Sequence, residues 1–425
     1  WKDTNIPEMK AYFALLLSMG LCHKPDINDY WSAFSVTLTS GYGKIMSRNR
    51  FLLIRSMLHF CNNEDFIPRH EENYDRLFKI RRLVDIIVPK FDQVYKPQKQ
   101  LSLDEMTIAF KGRSTIKQYN PHKPSKWGYK VFALTEATTG YLLQWEMYAG
   151  SSMETDEDVS KTHSIVRKLC SGYMGKQHEV YMNSYYSNPY LAKEFKEKKT
   201  GICGTINCNR KGMPDELKTK KGDDPVYMLS GDILCCAWHD TKRLTMLSTI
   251  HDAGVSEKSI RSKTSETGTR MVMKPNCVTE YNKYMGGVDR IDQRIRTYLF
   301  PHRSRKWYMR IFDNLIQICL VNSHVIYNTL PSGSNEKKLT LKFYIQECIT
   351  GLLQEYTPGV LSPRRKSKDT ISRIVPDQYY HKLIKEESSK PNCAVCSDTK
   401  RKGGRKQTKY KCEKCNVALC PTSCF

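Results

Sequence analysis

The spacing of apolar residues predicts helices throughout residues 1–97. In the segment 74–95, apolar side chains recur every three or four positions and share one helix face: Leu77, Ile80, Leu83, Ile86, Ile87 and Phe91. Two further helices are predicted at 8–19 and 51–60. We therefore expect the first part of the chain to be helical.

The pattern changes after residue 100 to the alternation that is typical of strands. Thr138–Thr139–Gly140 supplies a hairpin turn between the last two of three strand-like runs, at 101–110, 126–137 and 140–150. A helix, a strand, a second helix and a second strand are predicted next, at 159–170, 180–182, 189–198 and 201–206. This order predicts an α/β protein with a mixed sheet flanked by helices.

The rest of the chain divides by composition. Residues 207–275 are polar and rich in lysine, and we interpret them as an insertion. Three helices are predicted after it, at 278–294, 305–328 and 339–356. A basic linker and a small Cys-rich module are predicted last, at 361–390 and 391–425.

Charge narrows the class of protein. The 425 residues include 68 Lys and Arg against 44 Asp and Glu, a formal net charge of +24. Such an excess attracts polyanions, because each phosphate contact releases a condensed counterion. DNA or RNA is the predicted partner, and a merely solvated basic surface is the alternative.

The longest apolar run, near 11–22, is too short for a membrane span, so we expect an intracellular protein without membrane contact. Because the chain begins at Trp1, we take it to be a fragment.

The cysteines fall into two groups. Ten of the sixteen are scattered in mostly apolar surroundings, which indicates buried thiols of a reducing compartment. The other six lie within the last 33 residues at a paired spacing typical of structural zinc: Cys393, Cys396, Cys412, Cys415, Cys420 and Cys424. Tetrahedral zinc takes four ligands, so six cysteines fill one site and half of a second. His381 is a candidate ligand of this module, and a surface histidine is the alternative.

Acidic residues at two places are candidates for chemistry. Asp104 interrupts the apolar run 101–110, where an acid costs desolvation unless it is paired or binds a metal. Glu105 is predicted on the opposite face, in solvent. Asp289 and Asp292 lie three residues apart on one predicted helix face. The alternatives are a structural acid at a strand edge and solvated acids on a helix.

Two neutral features stand next to these acids. The predicted strand at 180–182 ends on Asn183, at a kind of position where α/β enzymes place catalytic carboxylates. Gly286–Gly287 precedes Asp289 and costs helix stability, about 1 kcal/mol for each glycine relative to Ala. This cost indicates close approach by another backbone or by nucleic acid, and a helix kink is the alternative.

Taken in order, several motifs resemble the piggyBac family of DNA transposases. They are LSLDE with KGR, VYM with YYSN before a helix, YNKYMGGVDRIDQ, RKWYMRIFDNLIQICLVNSHVIY and the C-terminal cysteines. The resemblance covers almost the whole chain, and the ordered set is specific. It implies an RNase H-like core with an insertion domain, a split helical domain for dimerisation and DNA binding, and a RING-like zinc domain. The helical domain is expected in two parts, at 1–99 and 299–360. The core is also expected in two parts, at 100–209 and 276–298, with the insertion domain between them at 210–275. The basic linker is expected at 361–390 and the zinc domain at 391–425.

The resemblance maps the three catalytic aspartates of the family onto Asp104, position 183 and Asp289, with Asp292 as an accessory acid. Such carboxylates hold two Mg²⁺ ions that activate the attacking oxygen and stabilise the leaving oxygen at a phosphate. Asn183 departs from this pattern, because an amide supplies no negative charge. We therefore expect metal binding and cleavage to be severely weakened.

The origin of the departure stays open between deliberate inactivation and natural drift, and the accompanying Ser184 favours drift. Replacement of the lost charge by a nearby acid, Asp156 or Asp158, is a further alternative that no spacing supports. In the family a histidine follows the last Cys-Phe of the zinc domain, and this chain ends at Phe425 before it.

The resemblance also implies a DNA path lined by basic side chains: Lys111, Arg113, Arg303, Arg305 and Lys306. Trp307, next to them, is predicted to pack in the core rather than to stack on a base. Five cations of the Cys-rich module are predicted to contact phosphate: Lys400, Arg401, Lys402, Arg405 and Lys406. A solvated run of charges is the alternative for these five.

The favoured hypothesis is a nuclear, dimeric, domesticated DNA-binding protein derived from a piggyBac transposase, without efficient DNA cleavage. The alternative is an active cut-and-paste transposase with Mg²⁺-dependent strand cleavage and transfer at TTAA sites. A RING-type ubiquitin ligase is a third and weaker hypothesis, because the module carries so many cations.

Overall fold

The computed structural model describes the chain apart from residues 33, 35–37, 122, 124, 151–157, 218, 221, 262–266, 302–303, 331–337, 357–380, 399–402, 414–415, 423 and 425. The chain forms two compact units, Trp1–Tyr356 and Thr357–Phe425, which are described separately. Among the described residues, no helix is both long and apolar enough to cross a membrane.

The first unit begins with helices, as the apolar spacing predicted. They are α1 Ile6–Leu21, α2 Tyr42–Ile45, α3 Arg48–Met57 and α4 Phe78–Val94. Side chains fix where two of them begin, because the oxygens of Asn5 and Ser47 accept hydrogen bonds from backbone N–H groups in the first turns of α1 and α3. The first unit thus begins with a helical layer that packs against later helices.

The centre of the first unit is a sheet with helices beside it. Its first strands are β1 Gln100–Ala109, β2 Gln118–Tyr119, β3 Trp127–Glu136, β4 Leu142–Met147, β5 Glu179–Met182 and β6 Gly201–Thr205. Strands β4, β3 and β1 form an antiparallel meander, and β5 and β6 continue in parallel from β1. The crossover helices are α5 Lys161–Cys170 and α6 Pro189–Glu197. This is the mixed sheet that the sequence predicted, in the order of an RNase H-like core.

The segment interpreted as an insertion extends this sheet. Strands β7 Val226–Ser230, β8 Ile233–His239 and β9 Arg243–Ser248 follow β6 across the sheet, with β9 antiparallel to β6. Strands β10 Val255–Arg261 and β11 Thr269–Pro275 form a separate hairpin. Backbone hydrogen bonds therefore join the lysine-rich segment directly to the edge of the core.

The helices that follow return the chain to the core. They are α7 Asn276–Tyr284, α8 Gly287–Tyr298, α9 Trp307–Thr329 and α10 Leu341–Leu353. On α9, Asp313 accepts two hydrogen bonds from the buried guanidinium of Arg55, at 3.0 and 2.7 Å. This buried ion pair connects α9 to α3, and Trp307 is half-buried and packs against the core as predicted.

The prediction of one helix over 278–294 was wrong, because α7 ends at Tyr284 and α8 starts at Gly287. The break lets α8 lie close to the sheet. A Cβ atom on Gly287 would clash with the Thr135 hydroxyl and lie 2.9 Å from the Ser102 Cβ. The close approach expected of the glycine pair therefore occurs at Gly287, and β1 and β3 are what it approaches.

The second unit is small. Strands β12 Leu383–Lys385 and β13 Tyr410–Cys412 pair in antiparallel fashion. Among the described residues of this unit, the buried apolar side chains are Cys393, Cys412 and Leu419. β12 lies inside the segment predicted as a linker, whose residues 361–380 are outside the described part of the chain. So few buried apolar groups leave the unit dependent on another source of stability.

Replacing Gly287 by Ala is expected to cost about 1–3 kcal/mol of unfolding free energy, because the methyl group overpacks the contact between α8 and β1. Gly286→Ala is the matched control, since a Cβ there would lie no closer than 3.6 Å to its neighbours. Urea denaturation of both variants checks this. Equal stability of the two would show that α8 does not need the close contact.

Candidate functional site

Strands β1 and β5 and helix α8 bring the predicted catalytic positions to one region. Asp104 lies in the middle of β1, and Asn183 directly follows β5, whose last residue is in register with Leu103. The Ser102 hydroxyl, on the same face of β1 as Asp104, donates a 2.6 Å hydrogen bond to the Met285 carbonyl just before α8. This contact brings the acids of α8 over the face that carries Asp104.

The Asn183 side chain has one orientation that satisfies its neighbours. Its Oδ1 accepts a 2.9 Å hydrogen bond from the backbone N–H of Tyr185, which can only donate. Its Nδ2 therefore turns toward the acids and donates to Asp104 Oδ1 at 2.8 Å and toward Glu105 Oε2 at 3.4 Å. A flipped amide would place its oxygen against two carboxyl groups and its NH₂ against another donor.

The pKa values of the two adjacent acids of β1, Asp104 and Glu105, are shifted in opposite directions. Burial, together with the hydrogen bond and the charge of Glu105, raises the pKa of Asp104 to about 8. Burial acts in the same direction on Glu105, but the hydrogen bond from Asp104 and the positive charge of Lys130 outweigh it and lower the pKa of Glu105. Burial and the neighbouring carboxyl therefore disfavour full ionisation of the pair, and a bound metal ion would have to oppose this.

Glu105 was wrongly predicted to be solvated. Its side chain is only 15% exposed and forms a 3.2 Å ion pair with Lys130 on β3. The Lys130 ammonium also lies 4.0 Å from the ring centre of Tyr185, and Lys123 donates to the Glu105 carbonyl. Sequence analysis missed both lysines; a lysine inside the apolar strand β3 was the signal that could have identified Lys130.

The acids of α8 differ in exposure. Asp289 is exposed, whereas Asp292 is half-buried and forms a 2.7 Å ion pair with Arg296. Burial raises the pKa of Asp292 even though Arg296 opposes the shift. Burial raises the pKa of Tyr281 on α7, and the charges of Asp104 and Asp289 act in the same direction.

The fit of this site to divalent metal is incomplete. Mg²⁺ takes oxygen ligands in a near-octahedral shell, yet the Asn183 atom that faces Asp104 is a hydrogen-bond donor. Among the described residues, Asp104, Asp289 and Asp292 do not form a group of acidic ligand atoms all within 4.8 Å of one another. Asp156 lies outside the described residues, and Asp158 is exposed.

The C-terminal unit contains a group that fits metal well. The Sγ atoms of Cys393, Cys396, Cys420 and Cys424 all lie within 4.8 Å of one another. Burial opposes ionisation of Cys393, but backbone N–H groups of Cys396, Val395 and Cys420 outweigh it and lower its pKa to about 6. Four thiols with a thiolate already favoured match the tetrahedral S₄ site of zinc.

A second pair of ligands lies apart from these four thiols. The His381 Nδ1 atom is 3.4 Å from the Cys412 Sγ atom, which brings the candidate histidine to the second cysteine pair. Cys415 lies outside the described residues. The first and third cysteine pairs therefore meet at one site, and Cys412 is not a member of that group.

The predicted DNA-binding residues that the structure describes are all exposed: Lys111, Arg113, Arg305, Lys306, Arg405 and Lys406. Lys306 donates a 2.6 Å hydrogen bond to the Ser56 carbonyl, and Arg405 donates to Asn392. The remaining four fall outside the described residues: Arg303, Lys400, Arg401 and Lys402.

The strand order, with the meander followed by parallel strands β5 and β6, is that of an RNase H-like fold. A family model described as Transposase IS4 matches residues 1–324. The chain belongs to the piggyBac transposase family.

Curated relatives and a solved structure agree with this family assignment. PiggyBac transposable element-derived protein 3 of Homo sapiens is 25% identical over 97% of this chain and 68% of its own length. PiggyBac transposable element-derived protein 2 of Homo sapiens is 25% identical over 92% of this chain and 66% of its own. The piggyBac transposase in a synaptic complex with hairpin DNA shares the fold, with a TM-score of 0.74 at 23% identity over 100% of this chain and 89% of that one.

Asn183→Asp is expected to create a metal-responsive site. In EDTA the variant should melt about 2–4 °C lower than the wild type, because a third carboxylate adds repulsion, and Mn²⁺ should raise its melting temperature more than that of the wild type. Asn188→Asp is the matched control, because it makes the same change at the helix cap of α6, where Asp caps equally well. An equal Mn²⁺ response of both variants would contradict the assignment.

Cys396→Ser is expected to remove about one metal ion per chain, since a structural site needs all four ligands. Elemental analysis of the purified full chain by mass spectrometry measures this. Cys22→Ser, at an exposed cysteine of the first unit, should leave the metal content unchanged. Unaltered metal content in Cys396→Ser would rule out the four-thiol site.

Proposed function

We propose that this chain is a transposase-derived DNA-binding protein in which strand cleavage is impaired at Asn183. The observation that carries the proposal is the amide of Asn183, which directs its NH₂ group at Asp104. The Tyr185 N–H holds the amide oxygen away from Asp104, so the atom available at this point is a donor rather than a ligand.

Electrostatics gives the reason for the impairment. Divalent metal at such sites activates the attacking oxygen and stabilises the leaving oxygen of the phosphate. Burial and the charge of Glu105 raise the pKa of Asp104, and Asn183 adds no charge. The acids of β1 and α8 would still be the groups that hold metal, but with one negative charge fewer than three aspartates supply.

DNA binding rests on separate observations. The net charge of +24 and the exposed cations Lys111, Arg113, Arg305 and Lys306 supply phosphate contacts without any catalytic group. The solved transposase of the same fold was captured with hairpin DNA. Binding can therefore persist where cleavage is lost, and a nuclear, homodimeric protein is the form we propose.

Zinc is the metal we propose for the C-terminal unit, with Cys393, Cys396, Cys420 and Cys424 as one ligand set. His381 and Cys412 contribute to a second site. A unit with so few buried apolar groups gains its folding free energy from the metal. We propose that the folded unit adds phosphate contacts through exposed cations such as Arg405 and Lys406.

A cleavage assay on selected DNA tests the proposal. Genomic fragments retained by the wild-type chain serve as substrates, incubated with Mg²⁺ and the wild type, Asn183→Asp, or the double variant Asp104→Ala/Asn183→Asp. We expect the wild type to bind without cutting and Asn183→Asp to cut at least about 100-fold faster, since a pre-organised charge at the reacting phosphate contributes that much or more.

The double variant is the control for contaminating nuclease and should cut no more than the wild type. Robust Mg²⁺-dependent cutting by the wild type, with transfer at TTAA, would falsify the proposal in favour of an active transposase. Absence of any retained DNA would contradict the binding function itself.

A further inference from the structure

A cavity of about 640 Å³ opens at the end of β1, and none of the acids of β1 and α8 lines it. Its walls include Ala109, Phe110, Lys111, Lys126, Trp127 and Arg310. The Trp127 side chain is 45% exposed, which is unusual for the largest apolar residue. The proposed catalytic groups do not use this tryptophan.

A second aromatic ring and a cation accompany Trp127. Tyr119 pairs with it across β2 and β3 and is 52% exposed, with 4.8 Å between the ring centroids. The Lys117 ammonium lies 4.7 Å from the Trp127 ring and also donates to the Gly112 carbonyl. The next residue, Gly128, approaches the Ile108 backbone so closely that a Cβ would clash, which fixes the position of Trp127 on the strand.

The cavity continues toward the acids of α8. A smaller cavity of about 250 Å³ shares Ala109, Ser125, Pro301 and Arg310 with the larger one, and Asp292 is among its lining residues. The two cavities are therefore adjacent, and together they are called the groove. Arg310 is held between the two cavities by donating to the carbonyls of Ala109 and Phe300.

Charge and size restrict what the groove can hold. Lys111 and Lys126 are exposed at its larger cavity, Arg310 lies beneath, and none of the described residues that line this cavity is acidic. A protein partner that inserts an apolar side chain would not need these three cations. A nucleotide supplies both an anion and a flat ring, and a cavity of about 640 Å³ lies within the size range of sites that bind small ligands.

We propose that this cavity binds one unpaired nucleotide of a DNA strand, with its base stacked on Trp127 and its phosphate between Lys111 and Lys126. This inference rests on the proposed DNA-binding function and adds a subsite that prefers an unstacked base. It makes the protein selective for single-stranded or frayed DNA next to the acids of α8.

Fluorescence anisotropy at one fixed salt concentration tests the subsite, with the full chain and two probes: a 20-nucleotide oligothymidine and a blunt duplex of 20 base pairs. Trp127→Ala is expected to weaken oligothymidine binding about 10-fold, the loss of one stacked base, and to change duplex binding less than about twofold. Trp127→Phe keeps a ring and should retain most of the affinity.

Trp1→Ala is the matched control, because Trp1 is also exposed and has a cation, Arg50, 5.0 Å from its ring. It should leave both affinities unchanged. Equal losses on both probes for Trp127→Ala, or no loss on either, overturn the subsite while leaving DNA binding intact. A wild-type chain that binds neither probe overturns the subsite and the proposed function together.

A crosslinking experiment locates the base directly. Oligothymidine that contains 5-iododeoxyuridine should, on irradiation, attach to the peptide that carries Trp127 or to the one that carries Tyr119. Mass spectrometry identifies the attached peptide. Crosslinks found only elsewhere on the chain overturn the proposed stacking.

Discussion

The hydrogen bond from Asn183 to Asp104 is the contact on which the interpretation of this protein depends. It is short, at 2.8 Å, and the Tyr185 backbone fixes its direction. An aspartate at 183 could accept the same backbone N–H with one oxygen and present the other to a metal ion. The amide accepts the same bond and can present only protons. The side chain at position 183 therefore decides whether a donor or a possible metal ligand faces Asp104.

Contacts between α8 and the sheet hold the region around Asp104 and Asn183 in place. Gly287 lets α8 approach β1 and β3 closely, and the Ser102 hydroxyl bonds to the Met285 carbonyl at the break between α7 and α8. These contacts hold helix α8, which carries Asp289 and Asp292, close to β1. The exposed cations and the C-terminal thiols lie on other residues, so the residue at position 183 does not alter them.

Much of the fold could be predicted from the sequence because apolar residues recur at regular helical or strand spacing. Helices α4 and α9 and strands β1, β3 and β4 follow directly from it. It failed where tertiary contacts outweigh local pattern. Strand alternation placed Glu105 in solvent, but Lys130 on the neighbouring strand pairs with it. The pairing of His381 with Cys412 spans 31 residues and no spacing rule predicts it. The groove beside Trp127 was missed because its walls come from segments 109–127 and 301–310.

Anomalous diffraction from a crystal of the DNA complex soaked in Mn²⁺ tests the central interaction most directly. If the Asn183 amide keeps its hydrogen bonds to Tyr185 and Asp104, no fully occupied ion should lie beside Asn183, and Nδ2 should still face Asp104. Two fully occupied Mn²⁺ ions between Asp104 and Asp289, with the Asn183 oxygen turned away from Tyr185 and bound to metal, would contradict it.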